Sequence, residues 1–244
     1  MIVLSVGMPR AGSGWYYNLT HDLICAAGGV EARQIRRRFR LGRVLTEVNC
    51  NIGALTPLRL LAVLPPALLG NTFAIKAHAG PTRFALALIR SGMMRATYIY
   101  RDPRDALLSA FDYGQRALRS GRANAFSRLT DFKTAVDFML PYLKIWADWS
   151  ECQHVLHVRY EDLLTGYDQE IQRLVSFLGI DSGDPGVKAV SEGYRPGGAG
   201  AEQKGLHFNI GQIGRFRQAL TGGQQETLQR AFGPYLGRMG FPNV

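Results

Sequence analysis

The chain is short of cysteine, lysine and acidic residues, and it has no long apolar run. Its three cysteines, Cys25, Cys50 and Cys152, lie far apart and form no C-x-x-C pair. That argues against a disulfide-stapled secreted fold and against a zinc site. The most apolar window, 55–69, is interrupted by Pro57, Arg59, Pro65 and Pro66 and does not span a bilayer. The opening residues, MIVLSVGMPRAGSGW, lack the basic leader, extended apolar stretch and small-residue cleavage site of a signal peptide. No fixed-period repeat and no Pro- or Ser-rich linker divides the 244 residues. These absences lead to the expectation of one soluble domain, 1–244, in a reducing, cytoplasmic compartment, without stable membrane insertion.

What is present is an ordinary globular balance, 46% hydrophobic and 20% charged residues, with a basic excess of 29 Lys+Arg over 19 Asp+Glu. Only five of those cations are lysines, so the net +10 is carried mostly by planar guanidinium groups that fork anions. Such a charge speaks to partners: nucleic acid, anionic lipid or a small polyanion.

Four short apolar or β-branched runs, at 2–6, 72–76, 96–100 and 154–158, read as strands buried on both faces of a parallel sheet. Segments with helical spacing lie between and after them, at 15–27, 83–90, 104–118, 132–151 and 168–178. Strand alternating with helix predicts a three-layer α/β/α fold around a central parallel sheet. Two stretches resist this reading. The run 34–43 carries five arginines around Phe39, and 195–205 is glycine-rich and reads as a mobile loop.

In such sheets ligands gather at the carboxyl ends of the strands. The first strand enters a glycine turn, Gly7 to Gly14, followed by a helix, an arrangement that aims free N–H groups at an anion. The Gly7–Gly12 spacing matches the front of a P-loop, but Ser13 stands where the phosphate-gripping lysine belongs and Gly14 where the Mg²⁺-binding hydroxyl belongs. What remains is an anion cradle with Arg10 inside it. A glycine turn that merely connects strand to helix is the plain alternative.

Lys76 and His78 end the second strand two residues apart, so both side chains leave one face. A cation beside an imidazole suits proton removal by His with Lys stabilising charge on an oxygen, although a solvated pair explains the spacing as well. The third strand ends in Arg101-Asp102-Pro103-Arg104-Asp105, with Ser109 one turn further. Pro103 and Asp102 mark a helix start, and Arg101 with Ser109 can hold a phosphate. The fourth strand leads to Tyr160-Glu161-Asp162, and Asn209-Ile210-Gly211 and Gly214-Arg215-Phe216 follow near the end.

In order and together, these blocks resemble the PAPS-dependent sulfotransferase family, which uses 3′-phosphoadenosine 5′-phosphosulfate. Pro9 to Trp15 is similar to its P-K-S-G-T-T-W loop, Lys76-Ala77-His78 to its K-T-H, and Arg101 to Ser109 matches R-[DN]-P-[KR]-D-x-x-x-S in full. Tyr160 to Asp162 is similar to Y-E-D, and Asn209 to Phe216 to R-K-G-x-x-G-x-W. The resemblance implies a P-loop-like sulfotransferase fold and metal-free transfer of a sulfuryl group from PAPS to a hydroxyl or amine acceptor, a small molecule or glycan, releasing PAP. It implies that Arg10, Gly12, Ser13 and Gly14 hold the 5′-phosphosulfate, with Trp15 against the adenine and Tyr160 at its edge. Arg101 and Ser109 would grip the 3′-phosphate, assisted at Asn209, Ile210 and Gly211, where Asn209 and Ile210 replace the family's Arg-Lys pair. His78 would be the base, with Lys76 and Arg10 opposing the developing negative charge. Some relatives that sulfate sugars use a carboxylate instead, and Glu47 is the nearest such candidate in sequence. A P-loop-like nucleotide kinase lacks its lysine here, and a nucleic-acid or membrane-surface binder led by the 34–43 arginines lacks an aromatic ladder.

Overall fold

The computed structural model describes residues 1–197 and 212–242. Its centre is a parallel sheet of β1 (Ile2–Gly7), β2 (Phe73–Ala77), β3 (Met94–Tyr100) and β4 (Val155–Arg159), ordered β2-β1-β3-β4. The pairing is in direct register, with Leu4 opposite Ile75 on one side and Ala96 on the other. All four runs expected as strands are strands; β1 and β2 are buried along their whole length, whereas in the edge strand β4 only Val158 is buried.

Helices α1 (Ser13–Ala26), α2 (Ala32–Arg38), α3 (Pro57–Leu68), α4 (Arg83–Arg90), α5 (Pro103–Arg119) and α6 (Phe132–Ser150) follow in chain order. They are joined by α7 (Tyr160–Thr165), α8 (Tyr167–Leu178), α9 (Pro185–Gly193), α10 (Phe216–Ala219) and α11 (Gly222–Leu236). Alternate strand residues feed two cores. Leu4, Ile75 and Tyr98 pack with α3, α5, α6 and α11, whereas Val3, Ala74 and Ile99 pack with α1, α8 and α9. The layers are therefore helix, sheet, helix, as the alternation predicts.

The 55–69 window corrects one detail. Its prolines do not interrupt it: Thr56 caps α3, Pro57 takes the first turn, and Pro65 and Pro66 sit near its end. The carbonyl bypassed by Pro65 belongs to the exposed Leu61, where water can serve it. Among the described residues no helix is long and apolar enough to cross a membrane. The arginine run likewise forms structure: Glu31 caps α2, and a 3₁₀ turn follows at Leu41–Arg43.

The chain leaves β1 for β2 on one side and reaches β3 on the other. The loops after these strands consequently diverge at the carboxyl end of β1, which opens a crevice there.

Candidate active site

A cleft of about 820 Å³ lies at this point. Its floor is the loop between β1 and α1. Two residues of that loop, Arg10 (φ 64°) and Gly12 (φ 76°), adopt left-handed backbone, which turns the chain sharply into α1. No side chain caps α1. Among the described residues the N–H groups of Gly12, Ser13 and Gly14 find no backbone acceptor, so the helix presents its positive end to the cleft. A Cβ on Gly12 would lie 2.6 Å from the Tyr160 ring, and one on Gly14 would meet nothing within 4 Å. The loop leaves these backbone N–H groups open, an arrangement that suits an anion.

Beside it, β2 delivers Lys76 and His78. Lys76 is only 5% exposed, and burial, seconded by the Arg10 charge, pushes its ammonium down to about 8. His78 Nδ1 donates to the Gly7 carbonyl at 2.5 Å, which fixes the tautomer and leaves Nε2 as the acceptor nitrogen. Burial first, then the Lys76 charge, lowers this imidazole to about 4, so it is neutral at physiological pH. Arg10 turns across the loop: its Nε donates to Ser109 Oγ at 3.2 Å, and its guanidinium lies 4.4 Å from the Tyr113 ring centre.

The other wall comes from β3, α5 and β4. Arg101 is buried, 4.7 Å from the Tyr160 ring centre, and donates through one terminal nitrogen to Gln212 O at 2.7 Å. Its Nε is buried with no partner among the described residues, an orphan donor in the wall of the cleft. Asp102 is the helix cap, accepting from Arg104 N–H, and it also holds the buried Arg104 side chain through Nε at 2.9 Å. Asp105 accepts from the Gly214 and Phe216 N–H groups at 2.7 and 2.9 Å, which ties the Gly214–Phe216 stretch over the start of α5. Glu161 takes the Asp102 N–H on one oxygen, and burial raises its carboxyl to about 7. Trp15 shows only 5% of its surface, stacked on Tyr167 with Nε1 donating to Tyr194 O, so a small edge of its ring faces the cleft.

The structure thus brings Arg10, Gly12, Ser13, Gly14, Trp15, Lys76, His78, Arg101, Ser109 and Tyr160 to one cleft, and Glu47 with them. Asn209, Ile210 and Gly211 lie outside the described residues. Sequence reasoning missed Asp105 as the anchor of the C-terminal stretch, because its partners are distant in the chain. It also missed Tyr17 and Tyr113 as lining residues, and it read the 34–43 arginines as a run outside the strand-helix pattern that could lead a nucleic-acid or membrane-surface binder; Arg33, Arg36 and Arg37 line the cleft.

Comparison with known proteins agrees with this architecture. The chain is 22% identical over 114 residues to the amine sulfotransferase of Oryctolagus cuniculus, a stretch that is 45% of this chain and 38% of that protein. The chain thus matches well under half of this curated relative's length. Retinol dehydratase, solved with androsterone and the inactive cofactor PAP, superposes with a TM-score of 0.58 at 17% identity, covering 96% of this chain and 80% of that one. A mouse sulfotransferase complexed with PAP gives 0.57 at 14% identity, covering 96% and 84%. At such identities the likeness is one of fold. The sulfotransferase domain model matches residues 74–240, well over half of the sequence, and with the same P-loop-like scaffold around its cleft the chain belongs to that family.

Proposed function

We propose that this protein is a sulfotransferase that uses PAPS as donor and a hydroxyl or amine compound as acceptor. The observation that carries the reading is the facing of two elements in one cleft: an uncapped α1 N-terminus with its glycine loop, and a neutral His78 whose tautomer is fixed by Gly7. Neither feature alone requires this chemistry, but a base beside an anion cradle and a buried lysine does suit it.

The residues fit the nucleotide. Open N–H groups at Gly12, Ser13 and Gly14 would take the 5′-phosphosulfate, and the orphan Arg101 Nε with Ser109 the 3′-phosphate. Tyr160 and the cleft-lining edge of Trp15 would meet the adenine. When bound, PAPS would supply the sulfuryl group and leave as PAP. His78 Nε2 accepts the proton of the attacking hydroxyl, because Nδ1 is already committed to Gly7 O. Lys76 and Arg10 would oppose the negative charge growing on the departing phosphate, and the burial of Lys76 strengthens that effect.

The test is PAP release from PAPS, followed by chromatography, across a panel of hydroxyl and amine compounds. Transfer to at least one, dependent on His78, is expected. Binding of ATP with Mg²⁺ as tight as that of PAP, with no transfer to any acceptor, would overturn the reading.

A further inference from the structure

This inference rests on the sulfotransferase reading and concerns its acceptor. The sheet order divides the cleft. Arg101 and Tyr160, at the ends of β3 and β4, lie on one side of β1, and Lys76 and His78, at the end of β2, lie on the other. The chain between α1 and β2 wraps the outer edge of β2: Lys76 N–H donates to Cys50 O at 3.2 Å and Ile52 N–H donates to Lys76 O at 2.9 Å. Helix α2 packs against the same strand. The wall beyond His78, away from the nucleotide groups, is therefore made by α2 and the residues just before Cys50.

That wall is basic with one apolar element. Arg33, Arg36 and Arg37 line the cleft and are spaced three and four apart, so they share one face of α2. Arg33 pairs with Glu31 at 3.3 Å, and Arg36 Nε is tethered to Leu45 O at 2.8 Å. Arg37 is exposed and forms no ion pair among the described residues. Among the described residues Glu47 is the one carboxylate lining this wall, against three guanidinium groups, and Val48 beside it is 79% exposed. The helix C-terminus favours cations at 36 and 37, but Arg33, in the first turn, sits at the unfavourable end. Like charges on one helix face repel, and an anion held between them removes that repulsion.

We propose that the acceptor carries an anionic group, a carboxylate or a phosphate or sulfate ester, set apart from its nucleophilic hydroxyl. Arg33 and Arg37 bind this group while Val48 and Tyr17 contact the apolar body and His78 receives the hydroxyl proton.

The test uses matched pairs titrated calorimetrically into the full chain, with and without saturating PAP: 4-hydroxyphenylacetate against 4-hydroxyphenylacetamide, and 4-hydroxyphenyl phosphate against hydroquinone. Each anionic member should bind about 10–100-fold tighter, the equivalent of one charge-assisted hydrogen bond. Raising salt should narrow that preference, since these arginines are exposed. The Arg33→Gln/Arg37→Gln double variant should lose most of the preference while keeping wild-type PAP affinity. Equal affinities within both pairs, or a double variant weakened toward PAP and unchanged in preference, would overturn the proposal. A chain that takes the anionic members but neither PAP nor PAPS would instead overturn the underlying reading, and with it the role of the bound anion as acceptor.

Discussion

His78 offers the sharpest test of the chemistry. Its Nδ1–H is held by Gly7 O, so only Nε2 can take a proton, and burial with the nearby Lys76 charge lowers it to about 4. A histidine lowered in this way is competent above that pH and is lost as base when pH falls through it. Lys76, at about 8, is charged below that value and neutral above it. The free enzyme should therefore show a kcat/KM for PAPS that rises near pH 4, stays level, and declines near pH 8. In the loaded enzyme the nucleotide's negative charges favour protonation of both groups, so both limbs of the kcat profile should lie at higher pH. His78→Ala should lower kcat by about 10²–10⁴-fold, or about 2.7–5.5 kcal/mol in barrier, with PAP affinity near wild type. The acid limb should vanish with the side chain. The assay is initial rate of PAP release between pH 4 and 9.5 for wild type and the His78→Ala and Glu47→Ala variants. If His78→Ala keeps most of its turnover while Glu47→Ala loses it, the base is the carboxylate. If both remain active, neither side chain moves the proton, and the fixed tautomer is a structural bond only.

PAP should raise the melting temperature without added metal, by an amount equivalent to about 2.7 kcal/mol at a hundredfold excess over Kd, and ATP with Mg²⁺ should raise it far less. Arg101→Ala should weaken PAP by about 10–100-fold but adenosine 5′-phosphosulfate, which lacks the 3′-phosphate, much less; a uniform loss by calorimetry would refute the assignment. Lys76→Met should stabilise the ligand-free chain at pH 7 by up to about 3 kcal/mol in denaturant unfolding while nearly abolishing transfer, because its depressed pKa marks a buried charge that folding disfavours. By the same linkage the wild type should gain stability from Lys76 as pH rises from about 8 toward 10.5, and lose it from His78 as pH falls from about 6.5 toward 4.

Much of this was legible in the residues. Strands of a parallel sheet flanked by helices run largely apolar, so Ile2, Ile75, Ile99 and Val158 announced their elements. The Asp102-Pro103 start of α5 was readable because a cap and a first-turn proline act locally. Helix α3 was hidden, since Pro65 and Pro66 oppose a helix unless their bypassed carbonyls reach solvent, which only the packing decides. In the site, Lys76 and His78 were paired by strand periodicity, whereas the Asp105 bonds to Gly214 and Phe216 join distant segments and leave no local trace. The arginines of α2 were visible as a charge run, but which way the helix faces depends on its docking against β2.

The Tyr160 ring seated on the bare face of Gly12 bears on how such a chain can diversify. Any side chain at position 12 collides with that ring, and the left-handed backbone there disfavours one regardless. A change at position 12 therefore demands a simultaneous change at Tyr160, two rare events that must coincide. The wall formed by α2 and residues 47–49 carries no such mutual lock, and Val48 and Arg37 can be exchanged singly. Descendants of this sequence would inherit the glycine loop and its aromatic partner as one block. Their novelty would accumulate along the outer edge of β2.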